Sequence, residues 1–161
     1  MSDLATRSTL RVFLAHPKGL SESEIAALVE LVHAVITRLK PDALVRVVTG
    51  FEDWTRSFKA CGSWDAWTKR VGSGVSFTSR EPLYHAIVVA PSRYVGHATK
   101  EIVLHAAKAR KPIGYFDGAA LRRVVGIHEH NDRDYKAGWE LKLDDRGRIQ
   151  GGAGGAPRAL R

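Results

Sequence analysis

Apolar residues fall along the chain in two rhythms: short unbroken runs, and longer stretches with apolar positions three and four apart. Leu10-Arg11-Val12-Phe13-Leu14-Ala15 is a run of the first kind, closed by His16-Pro17-Lys18-Gly19. A run this short, bounded by Pro and Gly, predicts a buried strand. Ser21 and Glu24 then stand at capping-box spacing, where the two side chains satisfy orphan amides at a helix start. Ile25, Leu28, Val29, Val32, Val35, Ile36 and Leu39 follow on one face, predicting an amphipathic helix of about 18 residues stopped by Pro41. Ala43–Val48 reads as a second strand, ended by Thr49-Gly50.

The stretch from Phe51 to Pro82 has no clear rhythm. Asp65 to Val71 fits a short helix, and Gly72-Ser73-Gly74 reads as a loop. Ala86-Ile87-Val88-Val89-Ala90 is the clearest strand, continuous and β-branched. A helix from about Ala98 to Arg110 follows, with Ile102, Ala106 and Ala109 inward, and Pro112–Phe116 is a fourth strand. Arg122–His128 and the alternating Trp139–Leu143 fit two more. Strand and helix alternate as in a parallel sheet covered by helices. The expected fold is a single α/β domain, flavodoxin- or Rossmann-like, with a mostly parallel sheet of four or five strands spanning residues 1–144. Residues 145–161 read as a flexible Gly- and Arg-rich tail.

Composition narrows the class. At 161 residues, 44% hydrophobic and 26% charged, the chain has enough apolar surface to fold without disulfides or metal. Its longest apolar runs are about five residues, too short to span a bilayer. No secretory leader pattern opens it, and the single Cys61 has no internal partner, so a reducing, cytoplasmic location is expected. The net charge of +8 invites an anionic partner. Four arginines against one aspartate place +3 of it from Asp145 onward. That tail offers a basic surface to nucleic acid, while the +5 on the remainder suits a nucleotide-sized anion.

In open α/β sheets ligands lie beyond the carboxyl ends of the strands. That directs attention to His16–Gly19, Gly50–Trp54 and Pro91–Glu101. Glu101 falls in the first turn of the helix after the best strand. A carboxylate there is stabilised by the helix dipole, or serves as a nucleophile or base at the cleft mouth. The preceding loop, with Ser92, Tyr94, Gly96 and His97, presents amides and side chains to a phosphate or ribose. His16, followed by Pro17, is either a satisfied structural histidine or a ligand contact. Asp53 and Trp54 either bind ribose hydroxyls and stack a base, or cap a helix and pack on the sheet edge. Trp64 and Trp67 suggest one buried helical face. His128 and His130, with Asp132 and Asp134 nearby, would share a strand face as metal ligands do, but no third spaced ligand is evident and a polar turn is expected; neither metal nor cofactor is expected.

The strand AIVVA, a loop with Ser92 and Gly96, then ATKEIVLHAAKARKPI resembles the nucleoside 2-deoxyribosyltransferase superfamily, and VFLAHP resembles its opening strand motif. The resemblance covers roughly residues 10–117. It implies that Glu101 attacks the anomeric carbon of a nucleoside or nucleotide, giving a glycosyl-enzyme resolved by water or an acceptor base. It also implies a homo-oligomer, because neighbouring subunits often complete the site in that family. Ser92 and Val95 stand where the family carries acidic residues, which leaves open a module that holds a nucleotide or signalling molecule without turnover. S-R-Y-x-G, Glu101 on a helix and K-P-I also resemble the TIR domain pattern, which implies attack on the nicotinamide bond of NAD. Both resemblances put Glu101 at a ribosyl C1′.

Overall fold

The structure is a computed structural model that describes residues 8–75, 81–129 and 138–149. Four parallel-sheet segments set the frame: β1 (Thr9–Ala15), β2 (Leu44–Thr49), β3 (Ala86–Val89) and β5 (Ile113–Phe116). β1 lies between β2 and β3, and β3 continues to β5, all parallel. Both faces of β3, β5 and the second half of β1 are covered, so these read as apolar runs rather than alternating ones, whereas β2 at the sheet edge is only partly covered. Val12, Leu14, Ala86 and Val88 face α1 (Glu22–Leu39), which contributes Leu28, Val32, Val35, Ile36 and Leu39 to one core. Its capping box forms as expected: the Ser21 hydroxyl accepts from the Glu24 amide at 3.2 Å, and the Glu24 carboxylate accepts from the Ser21 amide at 3.2 Å. Phe13, Ala15, Ile87 and Val89 face the opposite core, beneath three helices.

Those helices are α2 (Gly50–Cys61), α3 (Trp64–Ser73) and α4 (His97–Lys108). α2 has no counterpart in the sequence reading, because its polarity pattern is inverted at two places. Asp53 is buried at 7% exposure while Phe51 stands 73% exposed. α3 runs through Gly72 and Ser73 to a C-cap at Gly74, where the sequence suggested a loop. Gly72 stays helical because a Cβ there would meet Ile102 O at 2.7 Å and His105 Cβ at 2.6 Å. The glycine lets α4 come close.

The sheet is larger than expected, with seven strands in the order β2-β1-β3-β5-β6-β7-β4. β6 (Leu121–Glu129) and β7 (Trp139–Ile149) extend it antiparallel from β5, and β4 (Tyr94–Val95) closes the far edge against β7. β7 runs past Asp145, where the tail was expected to begin, as far as Ile149. Residues 150–161 lie outside the described residues. Tyr115, Val124, Leu141 and Val95 from successive strands join Ile102, Val103 and Ala106 in one core. The antiparallel half therefore wraps around α4. The architecture is a single α/β domain whose first half is parallel, and no described helix is long and apolar enough to cross a membrane.

Candidate functional site

The strand order reverses between β1 and β3, since β2 lies to one side of β1 and β3 to the other. The carboxyl edge at this switch point is where an open α/β sheet offers a crevice. Two loops meet there. The Ala90 amide donates to Ala15 O at 3.0 Å, which lays His16-Pro17 beside Pro91-Ser92. The Ala90-Pro91 bond is cis, and the Tyr115 hydroxyl donates to Pro91 O at 2.9 Å.

His16 is half-buried and Pro17 exposed. His16 Nδ1 lies 2.9 Å from Pro17 O. A carbonyl only accepts, so Nδ1 donates this bond. Nε2 is enclosed and has no hydrogen-bond partner among the described residues.

On the other loop, the Ser92 hydroxyl accepts from the Tyr94 amide at 3.0 Å. The backbone then enters β4, with Leu141 N donating to Arg93 O at 2.8 Å. Part of the loop read as a phosphate cradle is thus a ladder to β7. The Tyr94 hydroxyl and His128 hydrogen-bond the Glu140 carboxylate, His128 Nε2 at 2.9 Å, and Arg93 pairs with it at 2.8 Å. Desolvation pushes the Glu140 carboxyl up, but Arg93, Tyr94 and His128 together outweigh it and hold it below its ordinary value. His128 therefore hydrogen-bonds Glu140 near the end of a strand, and His130, Asp132 and Asp134 lie outside the described residues. Among the described residues no three His, Cys, Asp or Glu gather as metal ligands would.

Gly96 is the exposed N-cap of α4 and no side chain caps this end, which leaves first-turn amides open to solvent or a ligand. Glu101 follows one turn later, its side chain 26% exposed. Lys100 Nζ donates to Glu101 Oε1 at 2.6 Å, while His97 Nε2 is 4.0 Å from Oε1 and His105 Nε2 is 3.8 Å from Oε2. The Lys100 hydrogen bond holds the Glu101 carboxyl below its ordinary value against partial desolvation, with His97 and His105 adding to the effect. Glu101 is an anion held against the Lys100 ammonium, with two imidazoles close by. Trp139 completes the cluster from β7, its ring 4.6 Å from Lys100 Nζ and 5.7 Å from the His97 ring.

Asp53 is not available to a ribose. Its carboxylate is buried and accepts from Trp67 Nε1 at 2.9 Å, Ser57 Oγ at 2.7 Å and the Tyr84 hydroxyl. It is a structural hub inside the core. Trp54 stacks on Trp64 at 3.9 Å and 21°, so one of its faces is covered by protein. Trp67 is buried, but Trp64 is 46% exposed, and the two do not share one buried face.

Of the residues singled out from the sequence, the structure joins His16 and Pro17 to the Pro91-Ser92 turn, and His97 to Glu101. Ser92 and Tyr94 serve the β4 turn and its Glu140 network, Gly96 caps α4, and Asp53 leaves the site for the core. Lys100, His105 and Trp139 were missed. The i±4 spacing of His97, Glu101 and His105 was visible in the sequence, whereas Trp139 arrives only through the pairing of Val95 with Trp139. Comparison with models of known families, with curated proteins and with solved structures gives no match.

Proposed function

We propose that the protein cleaves or transfers at the N-glycosidic bond of a nucleoside or nucleotide, with Glu101 as nucleophile. The observation that carries this reading is the half-buried Glu101 carboxylate, kept ionised by Lys100 and placed in the second turn of α4 rather than the first, in the cluster that Trp139 of β7 completes. A carboxylate oxygen forms a bond to C1′ as the bond from C1′ to the base nitrogen breaks, its electron pair leaving with the base. The leaving base takes a proton, for which His97, exposed and 4.0 Å from Glu101 Oε1, is a candidate donor. Water or an acceptor base then attacks C1′ and returns the carboxylate.

Incubation with a panel of nucleosides, deoxynucleotides and NAD, followed by chromatography for free base, tests the reading. The expected result is base release from at least one member, falling about a hundredfold or more in Glu101→Gln. No release from any member, or release undiminished in the variant, overturns it.

A second reading is favoured by the Lys100 ammonium at 2.6 Å from the carboxylate: the charge is already answered within the protein, as in a module that holds its ligand without turnover. Native mass spectrometry showing a retained nucleotide, with no base released, selects that reading. A homo-oligomer completing the site belongs to the same proposal, and sedimentation reports it.

A further inference from the structure

Trp64 is a large aromatic residue that is held rigidly and yet is partly exposed. It opens α3 just after Ser63, whose hydroxyl caps the helix by accepting from the Ala66 amide at 3.1 Å. Its ring is stacked on Trp54, and both stand edge-on to Trp67, at 5.7 Å and 80° for Trp64 and 5.4 Å and 88° for Trp54. Trp67 in turn is fixed by its hydrogen bond to Asp53 and by Phe13 at 6.2 Å. Yet Trp64 remains 46% exposed. Most large aromatic rings held this firmly lie in a core. A rigid exposed ring loses little entropy on binding, which is what a stacking surface needs.

Its position adds a second observation. Lys18, in the loop that follows β1 and holds His16, places Nζ 5.7 Å from the centre of the Trp64 ring. An aromatic ring and a cation thus sit together beside the loop that leaves the carboxyl end of β1.

We propose that Trp64 and Lys18 form a platform for a purine nucleoside 5′-phosphate, the base stacked on Trp64 and the phosphate paired with Lys18. The fused rings of an indole and of a purine match in area, whereas a pyrimidine covers only one of the two indole rings. The four-carbon stem of Lys18 swings its ammonium from the ring to a phosphate, a contact a neutral nucleoside lacks. A single platform with one cation suits a mononucleotide. A polymer needs successive aromatic faces along a basic groove, and the nearby Arg46 and Arg56 are both engaged by Glu52, at 3.6 Å and 2.6 Å. The inference deepens the nucleotide reading above and rests on it for the class of ligand, but it concerns binding and Glu101 has no part in it.

Calorimetric titration of the full chain and of Glu101→Gln with AMP, adenosine, CMP and a short oligonucleotide tests the platform. AMP is expected to bind more tightly than either adenosine or CMP. Trp64→Leu is expected to weaken AMP by about tenfold or more, and Lys18→Ala to weaken AMP while leaving adenosine unchanged. Lys18 lies on an exposed loop, so its variant keeps the test decisive where Trp64→Leu fails to fold. No saturable AMP binding, equal binding of CMP and AMP, unchanged AMP affinity in either variant, or binding of the oligonucleotide alone overturns the proposal. AMP binding without base release from any substrate removes the glycosidic reading and leaves the platform standing. Base release unaffected by either variant does the reverse.

Discussion

At the scale of single residues, the polar groups inside the protein decide more than the apolar ones. Asp53 sits in the core with three donors on its carboxylate. Burial raises the Tyr84 hydroxyl well above its ordinary range, and the neighbouring Asp53 carboxylate raises it further, so Tyr84 stays a donor at any working pH. Tyr84→Phe removes one charge-assisted bond from a buried carboxylate, and about 1.5–3 kcal/mol of stability is expected to go with it. Asp53→Ala strands the buried indole N–H and phenol together and is expected to cost more. Chemical denaturation of the two variants checks the order.

Lys111 has the opposite fault. Its Nζ is enclosed with no hydrogen-bond partner among the described residues, and burial lowers its pKa to about 8. Between that value and the ordinary 10.5, the unfolded chain binds more protons than the folded one. Stability should therefore rise with pH across this window and be lowest below it. Lys111→Met is expected to remove that rise and to stabilise the protein near pH 7 by about 1 kcal/mol, the shift being discounted because the side chain is only partly buried. Denaturation midpoints near pH 7 and near pH 10 report both effects. None of this was legible in the sequence. Asp53 suggests a ribose contact or a helix cap there and Lys111 an ordinary helix-end cation, and only the packing around them shows what they do.

At the scale of elements, legibility followed periodicity. α1 was readable to its cap because its apolar face and its capping box say the same thing. β1, β3 and β5 were readable because both their faces are buried along most of their length, and β2 because its apolar run ends at Thr49-Gly50. α2 was hidden by an inward aspartate and an outward phenylalanine, and β4 by being two residues long and dependent on a partner far along the chain. The end of α3 was misread because glycine is a helix breaker in isolation. Here the contact with α4 outweighs propensity. Gly72→Ala gains about 1 kcal/mol of helix propensity, but its Cβ would strike α4 backbone at 2.7 Å. The expected sum is a loss of about 1–3 kcal/mol, read as a lowered melting temperature.

At the scale of the molecule, the class of fold and the edge of the sheet to inspect were both legible, since strand and helix alternate and the switch point follows from the order of strands. The candidate site was legible in part. Glu101 was found from its place after β3, and His16 from its place after β1. The surroundings of Glu101 could not be read, because Trp139 and the Glu140 network come from an antiparallel extension that the alternation does not announce.

That extension has a consequence for how the chain reaches its final form. β3 and β4 are separated by four residues in sequence but by three strands in the sheet. Val95 pairs with Trp139, 44 residues later. The parallel core can assemble from segments that end at Phe116, but the turn leading into α4 has no ladder until β7 has been made and threaded past β6. Closing so long a loop is slow relative to local pairing. The residues around Glu101 are therefore among the last to be set during folding, and a ribosome must release the strand after Trp139 before the neighbourhood of that carboxylate exists.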